Sequence, residues 1–243
     1  MFRLLALLPI LLLALAAHAA ERVRIGAEND WYPYSGVVGG QPAGLAVDLV
    51  RAAYAAVGVE VELVSLPYAR CMKLTRESLL AGCFDTLRNP LLEKQYRWHK
   101  QALFKGRIDI YARIDRHKGR ITLADLRGKR IAVTNGYDYG EAFDANKQMQ
   151  RDIGDSDLFA LRKLVAGRVD YALVYDRIAT HIARNEPQLG AGYKSVGTLI
   201  EPEIYLSFAP AYPEVEKLIG LFDQGLEKLH ASGEYARIEA RRR

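Results

Sequence analysis

Residues 128–136 read GKRIAVTNG and residues 167–176 read GRVDYALVYD. A glycine opens each stretch, a short apolar run follows, and a polar turn closes it, which is the pattern of a strand buried on both faces. Between them, Asp155 or Ser156 stands where a helix cap belongs. Leu158, Leu161, Leu164 and Val165 then recur at helical spacing up to Gly167. Strand, helix and strand in that order form the unit of a parallel sheet, so the fold class is α/β.

The same alternation extends outward. Residues 22–27 (RVRIGA) read as a strand, and residues 29–40 as a loop rich in Tyr, Pro and Gly. Leu45, Leu49, Val50, Ala53, Tyr54 and Val57 mark a helix that Gly58 stops. A strand over 60–66, a helix over 67–80, a strand over 83–87, a turn or short helix over 90–95 and a strand over 108–113 complete a first series. A second series begins with a short helix over 122–126 and includes a helix from Gly136 to about Lys147. Strands over 193–200 and 203–209 precede a long helix from about Pro213, which buries Val215, Leu218, Ile219, Phe222, Leu226 and Leu229. Two series predict two lobes: residues 21–110 plus 203–243, and residues 111–202. Ligands of open α/β sheets bind beyond the carboxyl ends of the strands. That rule points to the loops after Ala27, Leu66, Leu87, Thr134 and Tyr175.

The chain has 243 residues, of which 50% are hydrophobic and 26% charged, fractions that exclude a disordered or collagen-like chain. Lys and Arg number 34 against 29 Asp and Glu, a mild excess of +5. These residues are scattered apart from residues 241–243, which read as a solvated, frayed tail. No basic stripe or nucleic-acid signature stands out. Arg3, the apolar run over 4–17 and the small-x-small stretch Ala17-His18-Ala19 make a secretory signal peptide over residues 1–20. Export puts Cys71 and Cys83 in an oxidising compartment, where a disulfide between them is allowed; two buried free thiols are the alternative.

The order and spacing of several stretches carry a resemblance. They are VRIG followed by WYPYS, GLAVDLVRAA, DLRGKRIAVTNG, LVAGRVDYALVYDRIA and a last amphipathic helix ending in SGEYARI. Together they resemble the bacterial extracellular solute-binding proteins of family 3, the periplasmic components of amino-acid ABC transporters, in a divergent branch. The resemblance implies a two-lobed, type II periplasmic-binding-protein fold with a ligand cleft between the lobes. It implies an aromatic wall from Trp31 or Tyr34, a ligand carboxylate held at Gly136 and Tyr137, and an ammonium held by Asp176. Asp138 stands near the family's hydroxyl position, where it would repel an anionic group or cap the following helix. The family's carboxylate-clamping Arg is not kept: aligned on Trp98, its position falls on Leu92. Arg70 or Arg88 are the candidate replacements, since guanidinium matches carboxylate geometry.

These readings predict a monomeric periplasmic protein that captures an amino acid or related amine for an inner-membrane ABC permease. They predict no catalytic residue, metal or cofactor, and no nucleic-acid partner. A rival reading is a sensory module that reports ligand occupancy to a membrane signalling receptor. A weaker rival is a secreted dehydratase-like enzyme on the same fold, with Glu28, Asp30 or Asp85 as acid or base.

Overall fold

The structure, a computed structural model, describes residues 22–116 and 119–242. The expected signal peptide over 1–20 lies outside the described residues. Two sheets form the cores of two lobes. The first has six strands: Val61–Leu66, Val23–Glu28, Gly82–Leu87, Glu203–Phe208 and Arg97–Trp98 in spatial order, with Phe104–Lys105 also pairing with Glu203–Phe208. Val23–Glu28 lies parallel to both of its neighbours, as strand–helix–strand crossovers require. The second sheet has five strands in the order Gln150–Gly154, Arg130–Thr134, Tyr171–Tyr175, Ile108–Arg113 and Tyr193–Ile200.

Helices cover the sheets where the apolar spacing demands it. Leu45–Ala55 buries Leu45, Leu49, Val50, Ala53 and Tyr54 and packs on Val215–Ser232. In the second lobe, Ser156 caps Asp157–Val165 by accepting the Phe159 N–H, and that helix buries Ala160, Leu161 and Leu164. Cys71 and Cys83 form a disulfide with Cα atoms 5.9 Å apart. It ties the Tyr68–Arg76 helix to the Gly82–Leu87 strand. Gly26 lies under this link: a Cβ there would meet Cys71 Sγ at 2.3 Å, so only glycine lets the helix sit so close to the strand.

Two chain segments cross between the sheets. Phe104–Lys105 continues through Gly106 and Arg107 into Ile108–Arg113, and Tyr193–Ile200 continues through Glu201 and Pro202 into Glu203–Phe208. The crossings pair with each other on both sides, Lys105 with Glu203 and Ile108 with Ile200. Between these pairs the Gly106 N–H donates to the Pro202 carbonyl at 2.9 Å.

Several expectations need correction. Ile108–Arg113 is a strand, but it pairs with Tyr171–Tyr175 and Tyr193–Ile200 in the second sheet. The first crossing therefore precedes residue 108 rather than following residue 110. The helix expected from Gly136 to Lys147 reduces to Glu141–Asp144, and an edge strand, Gln150–Gly154, follows it. The Pro67 helix stops at Arg76, with Ser78 at a φ of 57° beyond it. Residues 29–40 are more than a loop: Asp30–Trp31, Ser35–Val38 and Gln41–Ala43 form a small antiparallel sheet. The tail is also tied down at Arg242, whose guanidinium bonds Asp48 at 2.8 Å.

Candidate functional site

Glu28 ends the first strand of its lobe and is 5% exposed. The Ser35 hydroxyl donates to the Glu28 carbonyl at 2.6 Å, which fixes the backbone where the strand gives way to the aromatic loop. Asp85 is also 5% exposed and stands in the middle of Gly82–Leu87. There the strand carries a bulge: Thr86 pairs with Tyr205 and Cys83 with Ser207, so Phe84 and Asp85 together oppose Leu206 alone. Asp85 takes the left-handed backbone at a φ of 69°, which Asp tolerates better than most residues. The bulge frees the Cys83 carbonyl, which accepts instead from the Ser207 hydroxyl at 2.9 Å and the Thr86 hydroxyl at 3.1 Å. Its effect is to present a buried carboxylate at the cleft, with the Ser35 hydroxyl, which donates to the Glu28 carbonyl, as its polar neighbour. A buried carboxylate without a cationic partner costs several kcal/mol in general, which together with its strained backbone makes Asp85 a candidate functional residue.

Aromatic rings close around these two acids. Trp31 is fully buried, with its ring 4.5 Å from Tyr34 and 4.8 Å from Tyr175 of the other lobe. Tyr34 in turn stacks on Phe104 at 5.0 Å. Tyr68 opens its helix beside the cleft and meets the Tyr137 ring edge-on at 5.7 Å. Across the cleft, the Tyr137 hydroxyl donates to Glu28 Oε1, and the Asn89 amide donates to Asp138 Oδ2. The space left beside Glu28, Asp85 and Trp31 is about 10 Å³, the room of one water. A cavity of about 560 Å³ adjoins it, sharing Glu28, Tyr68 and Tyr137 and reaching Asp30, Asp155 and Ser156.

The electrostatics of this region are one-sided. Burial, and after it the charge of Asp85, holds the Glu28 carboxyl well above the usual range. Burial does the same to Asp85. Asp157 is pushed up to about 7, chiefly by burial; it accepts from the Thr134 hydroxyl at 2.7 Å through one oxygen only. Among the described residues, no Lys, Arg or His lines either cavity. The arrangement suits a cation: it would return Coulomb energy to buried carboxylates and lie against aromatic faces.

The residues expected at the site divide into two sets. Trp31, Gly136 and Tyr137 come together at the interface between the lobes. Gly136 has a φ of 80°, and a Cβ there would stand 3.2 Å from the Ala69 Cβ of the other lobe. Tyr34 lies behind Trp31 as its support. Asp176 does not line either cavity: it pairs with Arg107 at 3.1 Å and bonds the Arg177 N–H at 2.8 Å. Arg88 turns outward, bonds Glu93 at 2.7 Å and lies over the Trp98 and Tyr205 rings. Arg70 is exposed on its helix and lines neither cavity. Leu92 is partly buried against the cluster of Tyr68, Cys71, Met72, Cys83 and Tyr96. Glu28 and Asp85, read from the sequence only as an acid or base, are the acids that the fold places in the cleft. The signal for Asp85 was a lone acid inside an apolar strand, Cys83-Phe84-Asp85-Thr86.

A family model for bacterial extracellular solute-binding proteins, family 3, matches residues 23–241. The ABC transporter arginine-binding protein 1 of Escherichia coli (strain K12) is 23% identical over 233 residues, covering 91% of this chain and 90% of that protein. A histidine kinase sensor domain with similarity to periplasmic binding proteins superposes with a TM-score of 0.80 at 23% identity, over 91% of this chain and 95% of that one. An ancestral arginine-binding protein bound to arginine superposes with a TM-score of 0.78 at 20% identity, over 90% of this chain and 97% of that one.

Proposed function

The chain belongs to the bacterial extracellular solute-binding proteins, family 3, and from that premise we propose that it captures a small organic cation, an amino acid or a related amine, between its lobes. The observation that carries this reading is Asp85, a buried carboxylate with no cationic partner among the described residues, set by a strand bulge beside Glu28 under the Trp31 ring. Glu28 and Asp85 take the ammonium or guanidinium, and Trp31, Tyr68 and Tyr175 wall the apolar part. Tyr137 closes over the ligand from the second lobe. Its hydroxyl sits on the Glu28 oxygen that a ligand N–H would use, so binding exchanges one donor for another.

The family description supports work outside the cytoplasmic membrane, and we place the protein in the periplasm, delivering its ligand to an ABC permease. The fold likeness to a histidine kinase sensor domain supports a second reading, in which the occupied protein engages a signalling receptor. The cleft chemistry is the same in both. No group in the cleft is assigned a catalytic role. The test is a thermal-shift screen of cationic, neutral and anionic solutes, followed by calorimetry. A ligand at 100 times its Kd stabilises the protein by about 2.7 kcal/mol, which is a rise of roughly 5–11 °C for a chain of this size. A screen in which only anions or neutral sugars stabilise would exclude the proposal.

A further inference from the structure

We propose that the ligand is an amine without a carboxylate, an α,ω-diamine or an ω-guanidino amine, rather than an amino acid. This deepens the reading above and rests on it. An amino acid brings an α-carboxylate, which needs donors or a positive charge wherever it lies. The cavity linings offer no positive charge; they do offer polar side chains, Asn29, Asn135 and Ser156, and the buried Trp31 indole N–H, but in the company of carboxylates. Among the described residues they hold no cationic side chain, while Glu28, Asp30, Asp85, Asp138 and Asp155 all face one or the other space. Leu92, at the position aligned with the family's clamp, is packed in an apolar cluster. Arg70 is exposed on its helix, and Arg88 is engaged with Glu93 on the outer surface.

A further source of donors for an anion is backbone N–H at the head of the second lobe. That source is largely consumed by the protein itself. Of the seven N–H groups from Thr134 to Gly140, five are bonded: Thr134 to the Tyr139 hydroxyl, Asn135 to the Gly154 carbonyl and Tyr137 to the Thr134 carbonyl, with Tyr139 and Gly140 going to the carboxylates of Asp144 and Asp138. The last two bonds run at 2.7 Å each and commit these N–H groups to the protein's own carboxylates. Asp138 also lines the space beside Glu28 and Asp85, so an anion there meets a third carboxylate. A second cationic end is better served. A chain that starts at Asp85 and Glu28 and extends into the 560 Å³ cavity comes to Asp30 and Asp155.

The experiment compares matched pairs that differ only in the carboxylate: agmatine with arginine, cadaverine with lysine, and putrescine with ornithine. Calorimetry on the wild-type protein is expected to give at least one amine a Kd at least tenfold tighter than its amino-acid partner. Glu28→Gln and Asp85→Asn, each checked for a cooperative melt, are expected to weaken that amine by more than tenfold. Two variants keep the test open if one fails to fold. An amino acid that binds as tightly as its amine, or tighter, overturns the inference and leaves a cation-binding protein. Failure of all six compounds at millimolar concentration overturns the inference together with the reading it rests on.

Discussion

The Tyr137 hydroxyl, in the second lobe, donates its hydrogen bond to the Glu28 carboxylate in the first, and both groups lie beside Asp85. One bond thus joins the two lobes and occupies an acid that the proposed function gives to the ligand. Its energy is that of an ordinary buried hydrogen bond, about 1 kcal/mol. That is small enough for a ligand ammonium to displace.

Tyr137→Phe removes this bond and keeps the ring against Tyr68. The variant is expected to melt roughly 2–4 °C lower than wild type without added ligand. Scanning calorimetry checks this. An unchanged melting temperature would mean that the contact contributes nothing to closure.

Asp85→Asn keeps the shape and the left-handed backbone, which Asn accepts, and removes a buried charge. The folded-state pKa of Asp85 is raised above its unfolded value. The carboxyl is protonated in both states at low pH, and ionisation in the fold becomes costly as pH climbs. The variant is therefore expected to be more stable than wild type near pH 8, by about 1–3 kcal/mol, with the gain shrinking towards pH 4. Denaturant melts at the two pH values measure it, and a loss of stability at pH 8 would contradict the assignment.

Asp157 gives a window with a number. Its folded pKa of about 7 lies above its unfolded value. The fold holds a proton that the unfolded chain has released, so stability falls as pH rises from about 4 to about 7 and then levels. Asp157→Asn should flatten that slope. If wild type and variant show parallel curves of stability against pH between 4 and 8, Asp157 is not the titrating group.

Ligand affinity has the opposite slope. Under the proposed function a cation binds the ionised forms of Glu28 and Asp85, whose pKa values burial has raised. Affinity is expected to rise with pH, by up to about tenfold per pH unit for each carboxylate still protonated. Calorimetry in two buffers of different ionisation enthalpy should also show proton release to solvent. Proton uptake on binding would refute the carboxylate assignment.

The Cys71–Cys83 disulfide closes a short loop, with a sequence separation of 12. Replacing both cysteines by Ser is expected to cost about 3 kcal/mol. The loss should be accompanied by weaker ligand binding, since Tyr68 and Asp85 stand on the two joined elements. Urea melts and calorimetry on the double variant test both parts.

Much of the fold was legible because local pattern and tertiary role agree. The VDYALVY stretch is apolar enough to belong in the middle of a sheet, and Ser156 with the Leu161 and Leu164 spacing defines its neighbouring helix. Gln150–Gly154 was illegible because it is an edge strand whose polar residues carry no alternation strong enough to mark it. Ile108–Arg113 was legible as a strand but not as a member of the second sheet, since an apolar run fits either core. At the site, Trp31 and Tyr137 follow from position along the chain. The bulge at Asp85 depends on pairing with Tyr205 and Ser207, more than a hundred residues away in sequence. Separation along the chain likewise hides the Arg107 guanidinium that claims Asp176.

The bond from Gly106 to Pro202 fastens the two crossings into one narrow paired ribbon. Such a ribbon bends across its width far more readily than it slides along its length, because sliding would break its register on both sides. Opening is thereby reduced to a single angular coordinate, and the lobes act as the two arms of a lever. A change of a few ångströms between Tyr137 and Glu28 is geared to a larger displacement at the outer rims. Under the proposed function, a membrane protein gripping those rims would gauge whether the cleft is filled without touching its contents, and a substitution at the ribbon is expected to alter the gain of that readout while leaving the pocket chemistry intact.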